Sequence, residues 1–290
     1  MHRGLLSRPD WSPTAAREAR RAFTELGPTY VKLAQLIASS PGLFPEVLSD
    51  ELRTLLDRVP PLAPVDVDHV IRRELGGAPG DVFGRFDPVP LASASIAQVH
   101  AATLHDGTDV VVKVQRRGIR ARLAADLSIL AGAAHLLERR SARARMANPV
   151  AVVEDFSATL AHELNFVLEA QAMERFADNL KTFGENSGVR VPAVHWRFTT
   201  PRVLTMEQIH GHSIDDTDAL RATGFDLAEL LKRGVRAWME AALNHGFFHG
   251  DVHAGNLMVD TDGNVVFLDF GIVGQLDDRT KAIIRNGLPA

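Results

Sequence analysis

The sequence predicts an α+β fold with two lobes. Three features indicate it: helical patterns dominate residues 1–80, two pairs of apolar strands separated by long helices follow, and a last helix leads into a short hairpin. We therefore expect an N-terminal helical extension over 1–80, a lobe with a small sheet over 81–209, and a partial second lobe over 210–290.

Amphipathic patterns account for the predicted helices. Ser12 followed by Pro13 is typical of a helix start, and helix-favouring residues continue to about Ser39. Proline, glycine and aspartate crowd residues 76–90, which indicates a loop. Further helices are predicted over 45–56, 66–75, 119–140, 150–181 and 227–245.

Apolar alternation accounts for the predicted strands. The strongest signal is Asp106-Gly107, a turn dipeptide with an apolar run on each side. Three strand pairs are predicted: 96–104 with 110–115, 193–198 with 203–208, and 256–259 with 265–268.

Composition limits the possible functions. The chain is 46% hydrophobic and 23% charged, as in an ordinary globular protein, and its formal net charge of -4 gives no electrostatic case for nucleic acid. Cysteine is absent, which excludes disulfides and thiolate chemistry. Because no signal-peptide pattern and no run of about 18 apolar residues occurs, we expect a cytoplasmic protein.

Polar residues interrupt an apolar stretch that reads FFHGDVHAGNLMV, from residue 247 to 259. Asp251 and Asn256 stand five positions apart there, and Asp269-Phe270-Gly271 follows beyond the predicted hairpin, as in the catalytic segments of protein kinases. Mg²⁺ prefers oxygen ligands, so Asn256 and Asp269 are candidate metal ligands. Asp251 is then the candidate group that orients or deprotonates the attacking group. The pattern predicts phosphoryl transfer with ATP and Mg²⁺.

Two alternatives compete for this stretch. One alternative is that the two motifs are turns without function. This would explain the 251–256 segment or the 269–271 segment alone, but it is a weaker explanation for both motifs in register across one hairpin. A zinc site is the other alternative, because His245, His249 and His253 recur every four residues. Gly246 and Gly250 argue against the helix that such a site would need. We expect His249 and His253 to support the loop through hydrogen bonds.

A lysine should reach the nucleotide phosphates, and Lys113 stands among valines in a predicted strand. It needs a carboxylate partner, because an unpaired buried ammonium is unstable. The helix predicted over 150–181 offers Glu163 on one face, and Asn165 and Glu169 together on another. The loop before the first strand should cover the phosphates and contains Ala92, Ser93, Ala94 and Ser95. P-loop NTPases are excluded, since the chain has no Walker A pattern.

At five places the chain resembles the UbiB/AarF family of atypical kinases, bacterial and organellar proteins linked to quinone biosynthesis. The segment over 27–35, with Lys32 and Gln35, is the specific match, since ordinary kinases lack it. The other four are the alanine-rich loop at 92–95, Lys113, the acidic segment at 163–170, and the group formed by Asp251, Asn256 and Asp269 with its following Phe-Gly.

The resemblance implies a protein-kinase-like fold with an N-terminal helical extension and a truncated C-lobe. It implies that Glu169 pairs with Lys113 and that Glu163 and Asn165 face the signature helix that carries Lys32 and Gln35. It also implies that the hinge over 206–209 meets adenine through its backbone, at Glu207 and Ile209.

Substrate and partners follow from the same resemblance. The signature helix covers the place where a protein substrate would dock, which favours a lipid or quinone intermediate, or plain ATP hydrolysis. Peripheral membrane association is compatible with it. Three departures from the family pattern stand out. Ala34 and Ala97 replace glycines, and Asn165 replaces an aspartate. The third is that only 19 residues follow Gly271, where family members continue with more C-lobe helices.

Two other functions are compatible with the sequence. One is a small-molecule phosphotransferase of the aminoglycoside or choline kinase type, which shares the His-Gly-Asp segment but lacks the signature helix. The other is a non-catalytic ATP-binding scaffold.

Overall fold

The computed structural model describes residues 12–38, 44–54, 62–140, 145–146, 148–182, 184 and 186–287. It is a mixed helix and sheet structure, as predicted. Its main helices are α1 (Pro13–Leu26), α2 (Pro28–Ala38), α3 (Glu46–Arg53), α4 (Pro64–Leu75), α5 (Pro79–Val82), α6 (Ile119–Arg140), α7 (Pro149–Glu163), α8 (Phe166–Thr182), α9 (Thr217–Thr223), α10 (Leu227–Glu240) and α11 (Asp278–Gly287).

The strands form three sheets. In the first, the order is β1-β2-β3-β5; in the second, β4-β9-β8-β6; the third pairs β10 with β7. The strands are β1 (Arg85–Ser93), β2 (Ala97–Thr103), β3 (Asp109–Gln115), β4 (Val189–Arg190), β5 (Val203–Glu207), β6 (Gly211–Ser213), β7 (Phe247–His249), β8 (Leu257–Asp260), β9 (Val265–Phe267) and β10 (Val273–Gln275).

The chain divides into two compact units. The first comprises Met1–Asp66, Pro90–Gln98 and Gln115–Ala158, and the second comprises Val67–Val89, Val99–Val114 and Thr159–Ala290. Within the described residues, every helix is too short or too polar to span a bilayer.

In the first unit, α1, α2 and α3 pack around a small apolar core. The Ser12 side chain accepts a hydrogen bond from the Ala15 N–H at 3.1 Å, so the predicted helix start is confirmed. One continuous helix to Ser39 was a wrong prediction, because Gly27 adopts φ 104° and separates α1 from α2. Ala34 is fully buried in this core, so a methyl group fits where the family usually has glycine.

In the second unit, aromatic side chains form the core beneath the β8–β9 hairpin. Phe176 of α8 packs against Phe267 and Phe270, with ring centroids 5.3 and 5.1 Å apart. All three rings are buried, and burial of each contributes roughly 1.5–3 kcal/mol. In the hairpin, Leu257 pairs with Phe267, which brings residue 256 beside residues 268–269.

Three further predictions of secondary structure were wrong. Residues 76–90, predicted as a loop, contain α5 and the start of β1. The prolines of β1 suit an edge strand, where no neighbouring strand needs the missing N–H, and β1 is at the edge of its sheet. The predicted strand over 193–198 is a bridge between Val194 and Met206 followed by a 3-10 turn. The predicted helix over 150–181 breaks at Leu164 and Asn165 into α7 and α8.

The remaining predicted elements are present with small changes at their ends. The hairpin around Asp106-Gly107 joins β2 to β3, and β8 and β9 form the C-terminal hairpin. The helix predicted over 227–245 ends as α10 at Glu240, and a π-helical turn continues it to His245. Residues 39, 55 and 56, at the ends of two predicted helices, lie outside the described residues.

Candidate functional site

Lys113 is the centre of an ion cluster in the second unit. Its Nζ lies 2.8 and 3.1 Å from the two carboxylate oxygens of Glu169, and 3.2 Å from Oδ2 of Asp269. It also lies 5.3 Å from the ring centroid of Phe166, within range of a cation–π contact. The Lys113 side chain is only 11% exposed and Glu169 only 2%, whereas Asp269 is 48% exposed. The cluster therefore consists of a buried lysine, a buried carboxylate and a second carboxylate that reaches solvent.

The charges of this cluster hold one another in place. Burial alone would lower the pKa of Lys113, but the carboxylates of Asp269 and Glu169 outweigh it and raise that pKa above its usual value. Burial raises the pKa of Glu169 to about 7, while the attraction of Lys113 opposes the increase. Lys113 is thus a permanent cation shared between two carboxylates.

Asn165 positions Glu169 by starting α8. Its side-chain Oδ1 accepts a hydrogen bond from the Val167 N–H at 3.2 Å, and its backbone carbonyl accepts from Leu168 and Glu169. Asparagine and aspartate serve equally well as helix N-caps. The departure at residue 165 therefore keeps the cap while removing one negative charge.

Replacing Asn165 tests this role. We expect Asn165→Asp to leave the free energy of unfolding close to wild type, and Asn165→Ala to lower it by about 1 kcal/mol, because alanine cannot cap the helix. Urea unfolding followed by circular dichroism measures both variants. Equal stability of the alanine variant and wild type would contradict the capping role.

His249 connects the two segments that the sequence predicts to be catalytic. Its Nε2 lies 2.7 Å from the carbonyl of Leu268, and its Nδ1 accepts a hydrogen bond from the Asp251 N–H at 3.2 Å. Since a carbonyl only accepts and a backbone N–H only donates, the neutral ring carries its hydrogen on Nε2. Its ring also packs against Phe270, 4.8 Å between centroids, and the Trp238 indole donates to its backbone carbonyl at 2.8 Å.

Burial lowers the pKa of His249 below its usual value. The folded protein thus binds fewer protons at this site than the unfolded chain, so stability should fall as pH drops below the unfolded pKa of about 6.5. We expect His249→Gln, which can still donate and accept, to lose less stability than wild type between pH 7.5 and 5.5. The measurement is the thermal midpoint of both proteins as a function of pH. The difference between the two profiles isolates His249 from His100 and Glu169, whose charges change in a similar pH range. Parallel profiles would contradict this prediction.

Asn256 and Asp269 are brought together by the C-terminal hairpin. The Leu268 N–H donates to the Asn256 carbonyl at 2.8 Å, which places Asp269 one residue beyond this contact. The Asn256 amide nitrogen donates to the Asp251 carbonyl at 3.0 Å, so its oxygen is turned away from that carbonyl. Asp269 adopts φ 53°, a left-handed conformation that is strained for a non-glycine residue, and its Oδ1 accepts from the Gly271 N–H.

Asp251 lies on the loop between β7 and β8. Its carboxylate is 48% exposed, and its Oδ2 is 3.8 Å from Nε2 of His253. The His253 Nδ1 accepts from the Gly255 N–H at 3.1 Å, so both predicted histidines make hydrogen bonds within the loop. Because both ring nitrogens of His249 have backbone partners, this histidine has no lone pair available for zinc.

The alanine-rich loop lies in the first unit. Ala92 and Ser93 end β1, and the Ala94 N–H donates to the Ala97 carbonyl at 2.9 Å, which makes a tight turn through the buried Ser95. Arg116 supports this turn: its Nε donates to the Ala94 carbonyl and its Nη2 to the Ser93 hydroxyl, both at 2.8 Å. The guanidinium thus binds one carbonyl and one hydroxyl of the loop.

The predicted hinge lies where β5 ends. The Gln208 N–H donates to the Asp109 carbonyl at 3.2 Å and the Glu207 N–H donates to the Ala193 carbonyl at 2.8 Å. Residues of an antiparallel ladder alternate between facing the partner strand and facing away from it, so the carbonyl of Glu207 points away from β3. Ile209 follows in the segment that leads to β6. Contact of these backbone groups with adenine stays a prediction.

The predicted signature residues belong to different units. Lys32 and Gln35 belong to α2 of the first unit, where Thr29 at the start of the same helix donates to Asp126 of α6. Glu163 ends α7 in the second unit and is buried. A Cβ atom added to Gly271 would lie 4.0 Å from the Cγ of Glu163, so the two residues are neighbours. The predicted approach of Glu163 and Asn165 to the signature helix stays a prediction.

Sequence reasoning missed two arginines that organise these segments, Arg116 and Arg190. Arg190 binds the side chains of Glu207 and Asp260. Arginine is common in this chain, so its frequency gave no signal. A signal did exist for Arg116, a charged residue directly after an apolar strand, beside a loop expected to bind phosphate.

Comparisons with known proteins show the family of this chain. A family model described as the ABC1 atypical kinase-like domain matches residues 54–289. An uncharacterised protein of Mycobacterium tuberculosis (strain ATCC 25618 / H37Rv) is 51% identical over 275 residues, which cover 95% of this chain and 56% of that protein. Proteins named probable protein kinase UbiB, from Azotobacter vinelandii and Pseudomonas putida (strain W619), are 39% and 40% identical; the matches cover 99% and 97% of this chain and 54% and 53% of theirs.

A solved structure is also similar. The complex of Rv3197 with erythromycin from Mycobacterium tuberculosis has a TM-score of 0.61 and 28% identity, over 91% of this chain and 59% of that one. The chain spans about half the length of the curated relatives it matches.

Proposed function

The chain belongs to the ABC1 atypical kinase-like family, which confirms the predicted family and its kinase-like α+β fold, and on this premise we propose that it binds ATP with Mg²⁺ and catalyses phosphoryl transfer or ATP hydrolysis. The observation that carries the proposal is the ion cluster of Lys113, Glu169 and Asp269. A buried lysine held by one buried carboxylate and one exposed carboxylate is suited to bind phosphate and metal on the same side.

The residues present fit a magnesium ion. Asn256 and Asp269 offer an amide oxygen and a carboxylate, the hard ligands that Mg²⁺ prefers, and the phosphates and water would complete its coordination. The hydrogen bond from Asn256 to the Asp251 carbonyl orients the amide for this purpose. When bound, the ion would neutralise phosphate charge.

The remaining residues have separable roles in this proposal. Lys113 binds the α- and β-phosphates, and Glu169 holds its ammonium in place. The backbone at Glu207 and Ile209 contacts adenine. In the first unit, Arg116 binds the Ala94 carbonyl and keeps the alanine-rich loop in one conformation.

Asp251 serves as the base. It takes the proton of the attacking hydroxyl or water as the new oxygen–phosphorus bond forms at the γ-phosphate, and the bond from that phosphorus to the β–γ bridging oxygen breaks to release ADP. His249 and Asn256 hold the backbone of Asp251 from both sides, which fixes the position of this carboxylate.

Titration with a fluorescent ATP analogue tests the proposal. We expect binding to be tightened by Mg²⁺ in wild type, and Asp269→Asn to remove most of this dependence while leaving metal-free binding. Asp262→Asn, on the exposed turn of the same hairpin, is the matched control and should behave as wild type. Binding that is indifferent to Mg²⁺ and to Asp269→Asn would refute the proposal.

We further propose a lipid-like acceptor or a supporting role in isoprenoid quinone synthesis. The support is the similarity to proteins named probable protein kinase UbiB and the signature helix, in which Lys32 and Gln35 lie. Expression in a bacterium that lacks its own UbiB protein should restore quinone content, measured by chromatography of lipid extracts. Restoration by wild type but not by Asp251→Asn is the expected result; equal content with both variants would contradict a catalytic role.

A further inference from the structure

We propose that Arg190 is a positioning residue that couples the adenine-binding end of the nucleotide site, the base end, to the hairpin that carries the metal ligands. The juxtaposition that carries this inference is one guanidinium bound to the last residue of β5 and to the last residue of β8. The inference rests on the proposed function, since it assigns the two coupled ends to base and metal.

The contacts of Arg190 are specific on both sides. Its Nη1 lies 2.9 Å from each carboxylate oxygen of Glu207, and its Nε lies 2.8 Å from Oδ2 of Asp260. Glu207 ends the strand that leads into the predicted hinge, and Asp260 ends the strand that begins after Asn256. Arg190, Glu207 and Asp260 belong to the second unit, and we call them the Arg190 bridge.

Each carboxylate of the bridge is anchored to further backbone. Asp260 is buried, and its Oδ1 accepts from the N–H groups of Asp262 and Asn264 at 3.0 and 2.8 Å, so it shapes the turn between β8 and β9. Burial would raise the pKa of Asp260, but hydrogen bonds from Asn264 and Arg190 outweigh it and lower that pKa. Glu207 also accepts from the Ala193 N–H at 3.1 Å.

The bridge therefore spans the linker of residues 208–210 that connects the two sheets. Arg190 itself is tied to the hairpin, because β4 pairs in parallel with β9. A shift of the Glu207 end would be transmitted to the turn at residues 261–264 and along β8 and β9 to Asn256 and Asp269, which lie at their opposite ends. A nucleotide that is held at both the base end and the metal end binds more tightly when the protein fixes the distance between these two ends.

The consequence is a coupling between base binding and metal binding. We expect Mg²⁺ to tighten ATP binding in wild type by a factor within the usual range of allosteric coupling, about 5–150-fold. Without the bridge, each end still binds its part of the ligand, but the factor by which Mg²⁺ improves affinity decreases.

The test uses three variants of the whole chain. Arg190→Met removes the bridge, and Arg190→Lys keeps the charge but cannot reach both carboxylates with the same geometry. Arg202→Met is the matched control: Arg202 is 32% exposed against 34% for Arg190, and it pairs with Glu74 at 3.3 Å. The measurement is the ratio of dissociation constants for trinitrophenyl-ATP without and with Mg²⁺, together with the thermal midpoint.

A fall in this ratio of at least fivefold in Arg190→Met, with Arg202→Met unchanged, would support the inference. Arg190→Lys should recover thermal stability more than it recovers the ratio. If Arg190→Met lowers only the thermal midpoint and leaves the ratio at the wild-type value, the residue is structural and the inference is overturned. Where Arg190→Met does not fold, Arg190→Lys decides by the same ratio.

Hydrogen exchange gives a second, independent measurement. Adenosine has no phosphates, so protection that it induces in residues 257–268 must be transmitted from the base end. We expect this protection in wild type and its loss in Arg190→Met; equal protection in both would overturn the inference. If wild type binds neither nucleotide nor adenosine, the proposed function fails and the inference fails with it.

Discussion

Lys113→Met should strongly reduce turnover and destabilise the second unit. The variant leaves Glu169 buried beside Asp269 with no cation, and removing one partner of a buried ion pair lowers the free energy of unfolding by about 3–5 kcal/mol. The loss should be smaller at acidic pH, because a protonated Glu169 needs no counterion. Turnover should fall by about 10²–10³-fold, the usual result of removing one group that stabilises developing charge.

A double variant separates these two effects. Lys113→Met with Glu169→Leu removes both members of the buried pair, so we expect it to recover much of the stability but none of the turnover. Lys181→Met is the control, because Lys181 is 73% exposed and pairs with Asp178 on its own helix. Phosphate release and urea unfolding measure the outcomes. Full turnover in the Lys113→Met variant would refute its role in phosphate binding.

Asp251→Asn should lose turnover with its fold and nucleotide binding intact. The hydrogen bonds that shape its loop use the backbone N–H and carbonyl of Asp251, which the substitution keeps, and the carboxylate itself is 48% exposed. Loss of a general base lowers the rate by about 10²–10⁴-fold. Steady-state phosphate release and the dissociation constant of the ATP analogue measure the two properties.

The outcome also separates the alternatives. The phosphotransferase alternative shares this prediction, but there a deletion of residues 1–60 should leave turnover unchanged. For a non-catalytic scaffold, wild type and Asp251→Asn should release phosphate equally slowly while both bind ATP. That equality would contradict the catalytic role of Asp251.

The predictable part of the site is short in sequence. Asp251, Asn256 and Asp269 could be recognised because one hairpin connects them, and a hairpin brings residues together in a register that spacing along the chain reveals. Lys113 could be recognised because a charged group among valines needs a partner. The N-cap at Ser12 and the turn at Asp106-Gly107 depend on neighbouring residues and were also predictable.

Several elements were not predictable because packing decided them. The break at Leu164 and Asn165 interrupts an apolar pattern that local propensity would continue, and it positions Glu169 at the first turn of α8. β1 contains two prolines and forms a strand only because its place at the edge of the sheet tolerates them.

Local pattern was therefore sufficient to predict the family and most helices, and to select the candidate residues for phosphate and metal binding. The partners of Arg116 and Arg190 are visible only in the tertiary structure. Arg190 joins side chains 17 and 70 positions away. Contacts at such separations depend on how sheets and helices pack, because many folds are compatible with the same local periodicity. Local chemistry thus predicted which groups this protein can use, and long-range packing set which of them act together.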